Sequence, residues 1–128
     1  MTYIHTAAKA LVAATALLAS AAALAHPKLV SATPADKSEG PAPTRIELLF
    51  SENLVKQVSG ANLVMTGMPG MADHPPMKIA TSVSGGDDPK AMIITPKSPL
   101  VPGTYRVDWR GGASDTHPVN GSNTFPTK

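Results

Sequence analysis

The segment Met65–Met77 holds the residues of this sequence that are best suited to metal chemistry. Four of the chain's six methionines lie within it, together with His74, one of its four histidines. Thioether sulfur is a soft donor that selects Cu(I), and imidazole binds copper in either oxidation state. Glycines and prolines interrupt the segment, which predicts a loop. A loop with several thioethers and one imidazole is suited to Cu(I).

Core packing is the alternative for these methionines, because Met adapts to irregular gaps. Met65 ends an apolar run and Met77 begins another, so both fit a core. Met68 and Met71 stand between glycines and prolines, which favours metal binding over packing. The residues of the loop alone leave both interpretations open.

The first 25 residues are typical of a secretory signal peptide. Lys9 is the only charged residue before Lys28, and Leu11–Leu24 is almost wholly Ala, Leu and Val. This apolar run is shorter than a membrane span of about 20 residues, and Ala23-Leu24-Ala25 has the form of a cleavage site. We expect export, cleavage after Ala25, and one mature domain over residues 26–128.

Cleavage there makes His26 the first residue of the mature chain. Its α-amino group and Nδ1 can then chelate one metal ion, provided that both are deprotonated. Pro27 has no amide proton for copper to displace, so the chelate stops at two nitrogens. Alternatively, the terminal histidine is incidental.

The segment Ser114–Pro118 contains a second set of possible ligands. Pro118 favours an extended conformation at His117, and in an extended segment Asp115 and His117 project to the same side. A carboxylate and an imidazole suit Cu(II), or Zn(II) with lower selectivity. The alternative is a turn in which Asp115 caps backbone amides, and Glu52 could likewise be a solvated turn residue.

Composition excludes several classes of function. Loss of the leader removes one of 11 basic residues and none of the 9 acidic ones, so the mature net charge is +1. The charges are interspersed and aromatic residues are few, which argues against nucleic-acid binding. The chain has no cysteine, so thiolate metal sites and cysteine nucleophiles are excluded.

Short alternating apolar segments separated by turns predict an all-β Greek-key barrel or sandwich of immunoglobulin type, with about seven strands. Trp109 is expected to anchor the core. The predicted strands are Leu29–Ser31, Arg45–Phe50, Ser59–Thr66, Lys78–Val83, Ala91–Thr95, Thr104–Arg110 and a last one that includes Phe125.

Five segments together resemble the periplasmic copper-resistance protein C (CopC) family, and the resemblance covers essentially the whole mature chain in order. They are His26–Val30, Phe50–Asn53, the Met65–Met77 loop, Gly103–Arg110 and Ser114–Pro118.

The resemblance implies a β-sandwich with copper sites near opposite ends. It implies a Cu(II) site formed by His26, Asp115 and His117, with Glu52 nearby. It implies a Cu(I) site formed by His74 and the thioethers of Met65, Met68, Met71 and Met77, with Met65 the weakest candidate. It further implies a monomeric periplasmic copper carrier that exchanges the metal with other periplasmic or membrane copper-handling proteins.

The sequence departs from the family pattern in three places. His74 follows Met71 by three residues rather than two, which changes the reach of its ring. Gly111-Gly112 replaces larger residues and predicts a looser approach to Asp115. Pro126 cannot donate to a sheet ladder, which predicts a last strand that is short or at an edge.

Two functions of other classes compete with a copper carrier. A terminal histidine and a second histidine on a β-sandwich also resemble the histidine brace of copper monooxygenases, but Asp115 could fill the position that oxygen needs. One Trp and two Tyr are also few for a sugar-binding surface. A structural sandwich without metal would show no rise in melting temperature with copper.

Overall fold

The structure is a computed structural model that describes residues 26–71, 74–113 and 117–128. The expected signal peptide and its cleavage site lie outside these residues. Eight strands follow one another along the chain: β1 Leu29–Thr33, β2 Ile46–Phe50, β3 Gly60–Gly67, β4 Met77–Ile79, β5 Thr81–Ser84, β6 Ala91–Pro96, β7 Gly103–Gly111 and β8 Val119–Thr127. Within the described residues, no helix is long and apolar enough to cross a membrane.

The strands form two four-stranded antiparallel sheets, in the orders β1-β2-β6-β5 and β4-β3-β7-β8. The chain passes between the sheets after β2, after β4 and after β6, which gives Greek-key connections. The predicted all-β sandwich is therefore confirmed. The strand number differs from about seven because the predicted strand Lys78–Val83 is interrupted at Ala80 and changes sheet there.

Alternation along the central strands builds the core between the sheets. Along β2, Ile46, Leu48 and Phe50 are buried while the residues between them are half-buried. Burial of each such side chain contributes about 1.5–3 kcal/mol of stabilisation. The other buried apolar residues of this core are Leu63, Met65, Met92, Ile94, Tyr105, Val107 and Phe125.

Trp109 packs on the edge of this core, in agreement with its predicted role as an anchor. Its ring meets Phe50 edge to face, with ring centroids 5.2 Å apart. Its Nε1 donates a hydrogen bond to Oδ1 of Asn123 at 3.2 Å, which satisfies a buried amide oxygen.

The last strand is at a sheet edge, which is one of the two outcomes expected from Pro126, and it is nine residues long. The backbone N–H of Thr124 points away from β7 and donates to Oδ1 of Asp36 at 2.7 Å. Pro126 lies two residues further along and so points the same way, where β7 needs no donor.

Strand β7 spans the sandwich and defines its two ends. The methionine end is where β3 ends and β4 and β7 begin, and the histidine end is where β2 and β7 end and β8 begins. At about 3.3 Å per residue, the nine residues of β7 separate these ends by roughly 25 Å. The two sets of candidate ligands therefore lie far apart.

Candidate metal centres

A tight turn presents two thioethers at the methionine end. Met68 and Met71 exchange two backbone hydrogen bonds, each 2.9 Å long, around Pro69 and Gly70. Gly70 has φ of +80°, which matches the third position of a type II turn with proline before it. Directly paired residues share a face, so both side chains project to the same side of the turn. Both residues are exposed, so neither is packed into the core of the sandwich.

The other two methionines of the segment face each other across β3 and β4 but differ in burial. Met65 pairs with Met77, and a bulge between Met65 and Gly67 redirects the end of β3. Met77 is exposed at the edge strand, whereas Met65 is in the core and packs against the backbone of Gly103. Only the thioether of Met77 is therefore as accessible as those of the turn.

His74 has one ring nitrogen in a hydrogen bond and the other buried. Its backbone N–H donates to the carbonyl of Thr66 at 3.3 Å, which holds the residue beside the end of β3. Its Nδ1 lies 2.9 Å from the carbonyl oxygen of Pro75, so Nδ1 carries the proton in this hydrogen bond. Nε2 is buried and has no hydrogen-bond partner among the residues that the structure describes. A carbonyl bound to one ring nitrogen and a free lone pair on the other is the arrangement of a metal-binding histidine.

At the histidine end, backbone hydrogen bonds hold the chain next to His26. The N–H of Lys28 donates to Oγ of Ser51, and the N–H of Ser51 donates to the carbonyl of Lys28, both at 2.9 Å. Pro27 is buried while His26 is exposed. This pairing places His26 at the same strand end as Glu52, which directly follows Ser51.

The segment that leads to Asp115 is packed rather than loose as far as Ala113. Gly112 accepts a hydrogen bond from the N–H of Val55 at 2.8 Å, and its own N–H donates to Oγ of Ser59 at 3.0 Å. An added Cβ at Gly112 would overlap the side chain of Val58. The expectation of a loose approach is therefore wrong for this part of the segment, because the missing side chains allow closer packing.

His117 is exposed just before β8, at the same end as His26 and Glu52. Asp115 lies outside the described residues. Among the residues that are described, no three His, Asp or Glu side chains come together as a metal-binding group. The predicted Cu(II) ligand set therefore stays a prediction, with three of its members at one end of the fold.

Burial and hydrogen bonding also stabilise the turn that precedes β7 at the methionine end. The hydroxyl of Tyr105 donates to the carbonyl of Val101 at 2.6 Å, and burial raises the pKa of this phenol above its usual value. The Tyr105 ring stacks on Phe125 with centroids 5.9 Å apart.

Residues 29–128 match the CopC domain, which covers most of the chain. The chain belongs to the CopC family. The resemblance seen in the sequence is thereby confirmed, together with the sandwich fold that it implies.

Relatives within the CopC family are similar to this chain along most of its length. Copper resistance protein C of Pseudomonas syringae pv. tomato is 65% identical over 115 residues, which cover 90% of each chain. Copper resistance protein C of Escherichia coli is 55% identical over 106 residues, which cover 83% of this chain and 84% of that protein. The crystal structure of PcoC, described as a methionine-rich copper resistance protein from Escherichia coli, matches with a TM-score of 0.75 and 53% identity over 81% of this chain and all of that one.

Two residues that position the candidate ligands were not singled out from the sequence. Ser51 binds the backbone beside His26, and Gly103 allows β7 to approach the end of β3. Ser51 follows a strand and Gly103 follows Pro102, so both looked like ordinary turn residues. Their roles depend on contacts between segments that are distant in sequence.

Proposed function

We propose that this CopC-family chain is an exported copper carrier in copper resistance, with a Cu(I) site at the methionine end and a Cu(II) site at the histidine end. The observation that carries the proposal is the buried Nε2 of His74, which has no partner within the described part of the chain. The backbone of His74 is bonded to Thr66, two residues before the turn that carries the facing thioethers of Met68 and Met71. A buried polar atom without a partner is destabilising, and binding of a metal ion would relieve this.

The Cu(I) ligands are drawn from Met68, Met71, Met77 and His74, which combine soft sulfur with neutral imidazole. Met65 completes the set only if its side chain turns out of the core, because it is 3% exposed. A site of three thioethers and one imidazole carries no negative charge and so favours the singly charged ion.

The Cu(II) ligands are the amine and imidazole of His26 with Asp115 and His117, and Glu52 stands near them. Nitrogen and carboxylate donors are harder than thioethers and suit the oxidised ion. The proposal draws on the common placement of His26, Glu52 and His117 at one strand end and on the family resemblance.

The different donors of the two sites link copper exchange to the oxidation state of the metal. If an external one-electron oxidant converted copper in the loop to Cu(II), the thioethers would bind it more weakly, and the released ion would prefer the nitrogen and oxygen donors of the His26 site. The chain acts as a periplasmic carrier rather than as an enzyme, and it works as a monomer. It exchanges copper with other periplasmic or membrane copper-handling proteins.

Separate titrations with Cu(I), under a reductant and without oxygen, and with Cu(II) test the two sites. The double variant Met68→Leu/Met71→Leu should lose Cu(I) and keep Cu(II), whereas His117→Ala should lose Cu(II) and keep Cu(I). Met92→Leu is the matched control, because it removes a thioether from the core and should leave both titrations unchanged. Loss of Cu(II) instead of Cu(I) in the double variant would show that the loop is assigned to the wrong ion.

The free amine of His26 is tested by adding one residue before it. The extended protein should bind Cu(II) more weakly, while its Cu(I) titration and thermal unfolding in the absence of metal stay the same. Equal Cu(II) binding with and without the extra residue would remove the amine from the ligand set.

A further inference from the structure

The methionines that the structure describes fall into two groups by exposure. Met68, Met71 and Met77 expose 38%, 53% and 54% of their surface, whereas Met65 and Met92 each expose 3%. Access controls how readily a peroxide reaches a sulfur lone pair. All three exposed methionines lie at the methionine end, where the buried Met65 pairs with Met77.

We propose that Met68, Met71 and Met77 form a redox-sensitive modification site, at which hydrogen peroxide converts thioethers to sulfoxides before it reaches Met65 or Met92. The sulfur lone pair attacks one peroxide oxygen, an S–O bond forms, and the O–O bond breaks. The second oxygen leaves as water with both protons. Sulfur loses two electrons and peroxide gains them, so no other reactant is needed.

Oxidation at these positions changes the donor without disturbing the core. A sulfoxide presents a hard oxygen in place of the soft sulfur lone pair, and it is more polar than a thioether. Because the three side chains are exposed, the added oxygen remains in water and the sandwich stays folded. Oxidation of Met65 or Met92 would instead place a polar group in the core, which is destabilising.

The modification therefore switches off one metal site and leaves the other intact. An oxidised loop should lose Cu(I), while the histidine end should keep Cu(II). This consequence rests on the function proposed above, whereas the order in which the methionines oxidise does not.

A bound soft ion should protect the same sulfur atoms, because it occupies the lone pair that attacks peroxide. Ag(I) is the suitable probe, since it shares the soft character and single charge of Cu(I) and does not cycle between oxidation states under peroxide. Protection by Ag(I) should be confined to the methionines that bind it.

The experiment treats the metal-free folded protein with hydrogen peroxide in the presence of a chelator and follows each methionine by peptide mapping. Cleavage after lysine places four methionines on the peptide Gln57–Lys78, so fragment ions must resolve them, while Met92 lies on Ala91–Lys97. We expect Met68, Met71 and Met77 to oxidise at least ~10-fold faster than Met65 and Met92. The midpoint of thermal unfolding should not change after the three have reacted.

Cu(I) binding is then measured before oxidation, after oxidation, and after repair by the two stereospecific methionine sulfoxide reductases. Binding should be lost and then regained. Met92→Leu is the matched control and should leave the rates at the loop unchanged.

Equal rates at the exposed and buried methionines would overturn the proposal, as would undiminished Cu(I) binding by protein oxidised at all three positions. If the unoxidised protein bound no Cu(I), the proposed carrier function would fail. The ratio of rates in metal-free protein would still test the modification site separately.

Discussion

Replacing Gly121 by alanine should destabilise the sandwich by about 1–3 kcal/mol, the usual range for overpacking. Gly121 is paired directly with Trp109 across β7 and β8, so the indole lies over the glycine. An added Cβ would stand 2.6 Å from Cε2 and 2.8 Å from Cη2 of the ring. Real carbon atoms do not approach so closely, and the indole must move.

Movement of the indole would disturb two further contacts. The ring packs edge to face on Phe50, and such pairs contribute about 0.5–1.5 kcal/mol. Its Nε1 bonds Asn123, whose buried oxygen would lose a donor at a loss of about 1–3 kcal/mol. Against these losses, alanine in a strand is favoured over glycine by roughly 0.5–1 kcal/mol. The range of 1–3 kcal/mol therefore assumes that part of the contacts is kept by a tilted ring.

Urea unfolding followed by far-ultraviolet circular dichroism measures the loss without relying on Trp109 fluorescence. A loss of 1 kcal/mol lowers the melting temperature of a domain of this size by about 4–8 °C. Gly60→Ala, in strand β3, is the matched control, since no atom of the described residues lies within 4 Å of a Cβ added there. It should leave stability unchanged or slightly raised.

A double-mutant cycle isolates the contact between the ring and the new methyl group. In a Trp109→Leu background, Gly121→Ala should no longer destabilise the protein, because the clashing atoms are absent. The reasoning is refuted if Gly121→Ala is as stable as Gly60→Ala, or if it loses as much stability with leucine at position 109 as with tryptophan.

Three further predictions concern the ends of the sandwich. Gly103→Ala places a Cβ 2.7 Å from the carbonyl oxygen of Gly67, so it should reduce the free energy of unfolding in urea by about 1–3 kcal/mol. It should also weaken Cu(I) binding by the methionine loop that follows Gly67, whereas Gly60→Ala should have neither effect. Burial raises the pKa of Tyr105, so the contribution of its phenol to stability is complete below about pH 10 and is lost as the pH rises through the folded-state pKa. The melting temperature should therefore decline less above pH 10 in Tyr105→Phe than in the unaltered protein. An equal decline in both proteins would show that other groups cause it. Ser51→Ala removes the oxygen that accepts the N–H of Lys28, a hydrogen bond that contributes about 1 kcal/mol to holding the chain next to His26 in place. The Cu(II) dissociation constant should therefore rise about fivefold, while the Cu(I) dissociation constant stays the same.

Sequence patterns predicted the fold well where alternation was strong. The buried faces of β2 and β7 were recognised because apolar residues alternate with a period of two along strands with one buried face. They are formed by Ile46, Leu48 and Phe50 in β2 and by Tyr105, Val107 and Trp109 in β7. The break between β4 and β5 at Ala80 was not predicted. Apolar residues stand on both sides of the break, so the sequence pattern is the same as that of one continuous strand.

The candidate ligands were found by residue type, whereas their accessibility depends on tertiary packing. Nothing local distinguishes Met65 from Met77, yet one is in the core and the other at an open edge. The hydrogen bond from Nδ1 of His74 to the carbonyl of Pro75, and the burial of Nε2 without a partner among the described residues, arise from the folded backbone. The spacing of residues in the sequence does not encode either feature. The close packing of Gly112 could not be predicted from the sequence either. A missing side chain allows closer packing where neighbouring segments are crowded, but it loosens the chain where the surroundings are open.

The length of β7 affects how a copper ion could pass from one proposed site to the other. Where the structure describes the chain, apolar side chains fill the space between the two sheets along this strand, and they form no continuous path of donors through which copper could pass inside one molecule. On the proposed function, an ion that leaves the thioethers travels through solvent or through an encounter with another molecule. Transfer by encounter would shorten the half-time as protein concentration rises, in the manner of a second-order process, whereas transfer limited by release into solvent would leave the half-time unchanged.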